Sequence, residues 1–203
     1  PSFESVDINQ FQDEDLWIRN KLGMLIDSTK SSYKNYRFDY AAKNLYSFTW
    51  QDYCSWYIEI AKSKLNRKNI TSVQKNLILF NLRDILKNIL LLLHPIMPFI
   101  TEEIYNDMFA EKKFLQDNSY PKSKNFLTNS DVENINWMIE IVSAVRKTRS
   151  EIGVQPNKEI DLIITGENEK DKLFFDNLSC LIMSLAKIKN ISFGRENKNN
   201  NYY

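Results

Sequence analysis

The chain has 203 residues, 43% of them hydrophobic and 26% charged, and a formal net charge of +1. That length can bury a core as one domain or one domain with a small appendage, while the near-neutral balance excludes a global field committing it to nucleic acid or membrane. Only four glycines and five prolines are present, so long stretches are free to be helical and a mainly α protein is expected.

Residues 1–14 are polar and acidic and read as a connector. From Asp15 the pattern changes: Ile18, Leu22, Leu25, Ile26, Thr29 and Tyr33 recur at three- and four-residue steps, which predicts a first helix. Asp13, Glu14 and Asp15 suit its N-terminal dipole. After a break near Asn35 to Arg37, a second helix carries two apolar stripes. One runs through Phe38, Ala41, Ala42, Leu45, Phe48, Asp52, Trp56 and Ile60, the other through Tyr46, Trp50, Tyr53, Cys54, Tyr57 and Ala61. So broad an apolar surface belongs to a central helix, and Phe48, Trp50, Trp56 and Tyr57 are expected in the core. Asp52 on that surface needs a hydrogen-bonding partner if buried.

Lys62 to Thr71 reads as a loop, with Thr71 or Ser72 capping a third helix defined by Val73, Leu77, Phe80, Leu86, Ile89, Leu90 and Leu93 and ended by His94-Pro95. Pro98 opens a shorter fourth helix to Met108. Residues 110–130 lack periodicity and predict a surface loop. A fifth helix, Asp131 to Ile152, is expected to pack on the bundle through Val132, Ile135, Met138, Ile139, Val142 and Val145, and Gly153 to Asn157 stops it. Residues 159–165 then alternate as a strand, 167–186 are helical, and 189–193 form a second strand. The expected organisation is a helical bundle over 15–152, a small α/β appendage over 153–193, and a disordered tail over 194–203.

Cys54 and Cys180 lie far apart and His94 is the sole histidine, so neither a disulfide framework nor a zinc site is expected, and a reducing cytosol is the natural setting. The apolar run from Ile85 to Phe99 is interrupted by Lys87, Asn88, His94 and two prolines, and falls short of the roughly 20 apolar residues of a bilayer span. No glycine-rich phosphate loop or catalytic triad is recognisable. The chain opens without Met or a signal-peptide pattern, which reads as a fragment of something longer.

Four stretches carry a family resemblance. Tyr36-Arg-Phe-Asp39 with Ala41-Ala42, Trp50, Asp52-Tyr53-Cys54 and Trp56-Tyr57-Ile58-Glu59 resembles the anticodon-binding domain of the class I valyl-tRNA synthetases. Asp15-Leu-Trp-Ile18 with Lys21-Leu22, Leu93-His-Pro-Ile-Met-Pro-Phe-Ile-Thr-Glu-Glu103, and Val145-Arg-Lys-Thr-Arg-Ser-Glu151 with Pro156 are similar to further segments of that family in order and spacing. The His-Pro-x-Met-Pro-Phe segment is shared with isoleucyl and leucyl relatives; the Trp, Asp-Tyr-Cys and Trp-Tyr-Ile-Glu combination is the valyl-like part. Leu16 departs from the family, which usually has Arg there.

The resemblance implies a fold, the anticodon-binding helical bundle with a small α/β appendage, and a role, binding the anticodon loop of a valine tRNA with A at the middle position and C at the third. It implies no catalytic residue and no cofactor in this piece; ATP and magnesium belong to a catalytic domain elsewhere in the parent, which with an editing domain would be its partner alongside the tRNA. A cytoplasmic monomer is expected. A sibling specificity for isoleucine or leucine remains open, as does a helical protein-interaction module docking through Tyr33, Tyr36 and Tyr40.

Loop bases of RNA are held by aromatic stacking and by polar groups on base edges. Trp17, with Arg19, Asn20 and Lys21 after it, is the first candidate, the plainer alternative being a core residue beside Ile18. Arg37 at the junction of two helices is a candidate phosphate fork, or else a partner for Asp39. The basic loop of Lys62, Lys64, Arg67 and Lys68 would attract phosphate, or is simply solvated. Arg146, Lys147 and Arg149 would steer the tRNA backbone, or complement a helix dipole.

Overall fold

The computed structural model describes residues 10–109, 113–123, 130–155, 157–165 and 168–194. In chain order these form α1 (Asp13–Lys34), α2 (Phe38–Ser47), a π-helical segment (Phe48–Tyr57), α3 (Ile58–Leu65), α4 (Ser72–Leu93), α5 (Pro98–Phe109), a 3-10 turn (Leu115–Asp117), α6 (Ser130–Glu151), β1 (Ile160–Thr165), α7 (Glu169–Ala186) and β2 (Ile188–Gly194). Two compact units result, Pro1–Val132 and Glu133–Tyr203.

In the first unit, α1 starts at a capping box in which Gln12 and Asp15 satisfy each other's backbone N–H groups, with Asp13, Glu14 and Asp15 in the first turn, as the N-terminal dipole favours. Its end is less ordinary. Tyr36 adopts φ 57°, its N–H donates to Tyr33 O (3.1 Å) and that of Arg37 to Ser32 O (2.8 Å). This is a Schellman stop with tyrosine at the left-handed position that glycine usually takes.

The second predicted helix is continuous from Phe38 to Leu65, but its middle is wound with i→i+5 bonds. The inward face draws on both stripes. Phe48, Tyr53, Tyr57, Ile60 and Ala61 face inward, with the Tyr53 and Tyr57 rings 6.3 Å apart, whereas Tyr46 and Trp50 are 66% and 60% exposed. The expectation that Trp50 packs in the core is therefore corrected, and Trp56 is only half-buried. Asp52 has the partner its position demands, Lys21 Nζ at 2.6 Å.

Thr71 caps α4 by accepting from Gln74 N. The buried face of α4 runs through Leu77, Ile78, Asn81, Ile85, Ile89 and Leu92, while Val73 in its first turn is exposed. At the turn into α5, His94 Nδ1 and Thr101 Oγ hydrogen-bond (2.8 Å), and the Thr101 hydroxyl lies 2.8 Å from Met97 O. The predicted surface loop holds a buried anchor: Leu115 packs with Leu90, Tyr105 and Phe109, and its N–H donates to Glu102 (2.9 Å).

In the second unit β1 and β2 pair in parallel, with Leu162 opposite Ile191, and α7 connects them. Phe175 packs on Phe193 at 5.5 Å and Trp137 meets Phe174 edge-on at 6.0 Å. Gly153, at φ 70°, closes α6 with the same Schellman bonds as α1, Val154 N to Arg149 O and Gly153 N to Ser150 O. The division after Val132 groups most of α6 with the α/β elements, whereas its apolar periodicity predicts a bundle helix. Pro156 and the tail beyond Gly194 lie outside the described residues, as does most of the predicted connector.

Candidate nucleic-acid interface

Helix α1 is enclosed on two sides, by the α2 and π-helical stretch and by α4, so both Trp17 and its neighbour Ile18 are fully buried. This corrects the expectation of a stacking surface at Trp17: a base needs an open ring face, and the Trp17 ring is shut inside with Lys21 Nζ 5.0 Å from its centroid. Lys21 is held by Asp52, and Asn20 is half-buried.

Arg19 belongs to a buried network. Its Nε donates to Asn81 Oδ1 (2.5 Å) and its guanidinium pairs with Asp84 (2.9 Å) while lying 4.7 Å from the Phe11 ring centroid. Asn81 in turn donates to Asp15 (3.1 Å) and to the Tyr57 hydroxyl (2.6 Å), and Tyr57 donates to Asp15 (2.5 Å). Burial pushes the Asp15 carboxyl above its ordinary range against these hydrogen bonds and the Arg19 charge, and raises the Tyr57 hydroxyl well above its own. Such a fully paired set fixes α1, the π-helical segment and α4 to one another. Arg19 is thus a structural residue.

Lys64 is likewise withdrawn from solvent: it is buried, contacts Glu14 and Gln12, and is pushed down to about 8 by burial and by Arg67, with Asp13 opposing. The expectation of a phosphate-attracting Lys64 is corrected on that ground. Arg67 and Lys68 are exposed, and Arg67 borders a cleft of about 240 Å³ with Gln12, Asp15, Lys64 and Gln74.

In the second unit Arg149 is buried, and its guanidinium donates to Ala186 O (2.6 Å), Lys187 O (3.3 Å) and Gln155 O (3.4 Å). It occupies the carbonyl end of α7, where a cation complements the dipole, so its expected RNA contact is corrected. Arg146 is exposed and donates to Leu185 O (2.9 Å), and Lys147 is exposed with Glu151 at 3.9 Å.

The α1–α2 corner is where exposed aromatic rings and a guanidinium meet. The left-handed turn at Tyr36 throws its ring out to 81% exposure, beside Phe38 at 56% and Tyr40 at 49%. Tyr36 and Phe38 stand edge to face at 6.5 Å, and Arg37 Cζ lies 3.9 Å over the Tyr40 ring. Arg37 also forks onto Asp39 (3.1 and 3.0 Å). Both groups are exposed, and an exposed pair yields readily to a competing anion. Beneath, Tyr33 donates to Leu92 O (3.1 Å) and packs against Phe38 at 6.0 Å, so the corner is anchored on α4. Of the candidates, Arg37 alone is set among ring faces open to a base. The signal for Tyr36, Phe38 and Tyr40 was present in the sequence as three aromatics around one arginine directly after a helix end.

Comparison with known proteins gives a family match over residues 15–164 to the anticodon-binding domain of tRNA ligase. Among similar proteins are the valine–tRNA ligases of Francisella tularensis, 36% identical over 88% of this chain and 20% of that protein, of Coxiella burnetii, 36% over 89% and 20%, and of Pelagibacter ubique, 35% over 92% and 21%. The chain spans about a fifth of the length of these relatives.

Proposed function

The chain belongs to the family of anticodon-binding domains of tRNA ligases, and from that premise we propose that it binds the anticodon loop of a valine tRNA for a parent valine–tRNA ligase. The observation that carries the reading is the α1–α2 corner: Tyr36 and Phe38 offer faces for unpaired bases, and Arg37, backed by the Tyr40 ring, offers a planar fork for phosphate. Adenylate formation with ATP and magnesium, and transfer of valine to the tRNA, belong to the rest of that parent. This chain holds the tRNA in register for them, as a monomer in the cytoplasm. Among the described residues no helix is long and apolar enough to cross a membrane. Exposed Arg67 and Lys68, and Arg146, add sequence-independent attraction for the tRNA backbone.

The test is filter binding of valine tRNA to the chain and to its Arg37→Ala and Phe38→Ala variants. Loss of one stacked base is worth about 1–3 kcal/mol, so Phe38→Ala should weaken binding about tenfold, and Arg37→Ala should weaken it and flatten its salt dependence. Unchanged affinity in both would remove the corner from the interface.

A further inference from the structure

We propose that the RNA-binding surface continues from the corner along the outer face of α2 into the π-helical segment, where Lys43, Tyr46 and Trp50 grip RNA beside the part held at the corner; this rests on the anticodon-loop reading above. The three residues are exposed and spaced by three and four, which puts them on one face of the helix. That face begins where the Tyr36–Tyr40 cluster ends. At 1.5 Å per residue Tyr46 stands about 13 Å along the axis from Arg37, so this face meets RNA that the corner itself does not reach.

Trp50 is the informative member. Of the four tryptophans it is the exposed one: Trp17 is buried, and Trp56 and Trp137 are half-buried. The i→i+5 winding holds it outward, with Ser55 Oγ donating to its carbonyl across one π turn (2.8 Å). Two aromatic rings and a lysine on a continuous helical face match the way single-stranded RNA is held, by stacking with a cation on the backbone.

Charge decides between RNA and protein as the occupant. Lys43 is the exposed cation of α2, and its one acid, Asp39, is engaged by Arg37, so the face carries no unpaired negative charge of its own helix. The exposed face of α5 is the opposite case, with Phe99, Ile100, Ile104 and Met108 beside Glu103 and Asp107, an aliphatic surface with an acidic edge that would repel phosphate. The α2 face fits a polyanion with unpaired bases.

The experiment follows tryptophan emission of the whole 203-residue chain during titration with valine tRNA, for wild type, Trp50→Phe, Trp50→Ala, Tyr46→Ala and Lys43→Ala, each checked for helical content by circular dichroism. The proposal expects RNA to quench the wild-type emission, Trp50→Phe to abolish the quenching while binding persists, and Trp50→Ala and Tyr46→Ala each to weaken affinity about tenfold. Wild-type binding with the emission unmoved, and with unchanged affinity in both alanine variants, would overturn it and leave the corner as the interface. An emission change driven by protein concentration and indifferent to RNA would also overturn it, making the face a protein contact. Failure of the wild-type chain to bind any tRNA would remove the anticodon-loop reading, and this inference with it.

Discussion

At the residue scale, the polar groups that look most available in the sequence are those the fold uses most heavily. Arg19, Lys64 and Arg149 each end in buried partners, because a buried charge is tolerated only when paired and hydrogen-bonded. Asp15 shows the consequence. It accepts from Tyr57, Asn81 and the Gln12 N–H, so Asp15→Ala strands buried donors and should cost about 2–3 kcal/mol in urea unfolding. Its acid titration has a definite sign. The folded pKa lies above the ordinary 3.8, so the folded chain holds this proton more tightly than the unfolded one. The resulting contribution is complete below pH 3.8 and is lost as pH rises through the raised folded value. Stability of the wild type relative to Asp15→Asn should therefore fall with rising pH across that window. A relative stability that rises there would contradict the assignment.

At the element scale, helices α1, α4, α5, α6 and α7 are legible because apolar periodicity and caps agree: Thr71 with Gln74, the acidic first turn of α1, Gly153 after α6. Two features are not. The π winding of Phe48–Tyr57 is invisible in a pattern of two adjacent apolar stripes, which predicts Trp50 inside. Trp17 and Ile18 are adjacent, and periodicity alone cannot tell that α1 is covered on both sides. Nor does the pattern betray the left-handed conformation of Tyr36, which comes from the Schellman stop at the end of α1. A left-handed non-glycine residue costs roughly 1–2 kcal/mol, and such strain gathers at functional sites. Tyr36→Gly should accordingly raise the melting temperature while weakening tRNA binding, read by calorimetry and filter binding on the same sample. A variant that is stabilised and binds as well as wild type would make the Tyr36 ring irrelevant to RNA.

At the scale of the whole molecule, a net charge of +1 means that the proposed affinity for RNA has to come from a local patch and discrimination from the bases it touches. Phosphate contacts by a few cations position the RNA without reading it, so the account stands or falls on base dependence. Family membership and the ordered motifs fix the fold, while the proposed reading of a valine anticodon rests on the rings and the guanidinium at one corner of the first unit. The most direct measurement is fluorescence anisotropy of the 203-residue chain against a labelled hairpin carrying the valine anticodon, compared with the same hairpin substituted at the middle A and the third C. Because a good base contact is worth about 1–3 kcal/mol of discrimination, the valine hairpin should bind tighter by about tenfold or more, with both affinities falling as salt is raised. Equal affinity for the two hairpins across the salt series would contradict anticodon reading by this chain.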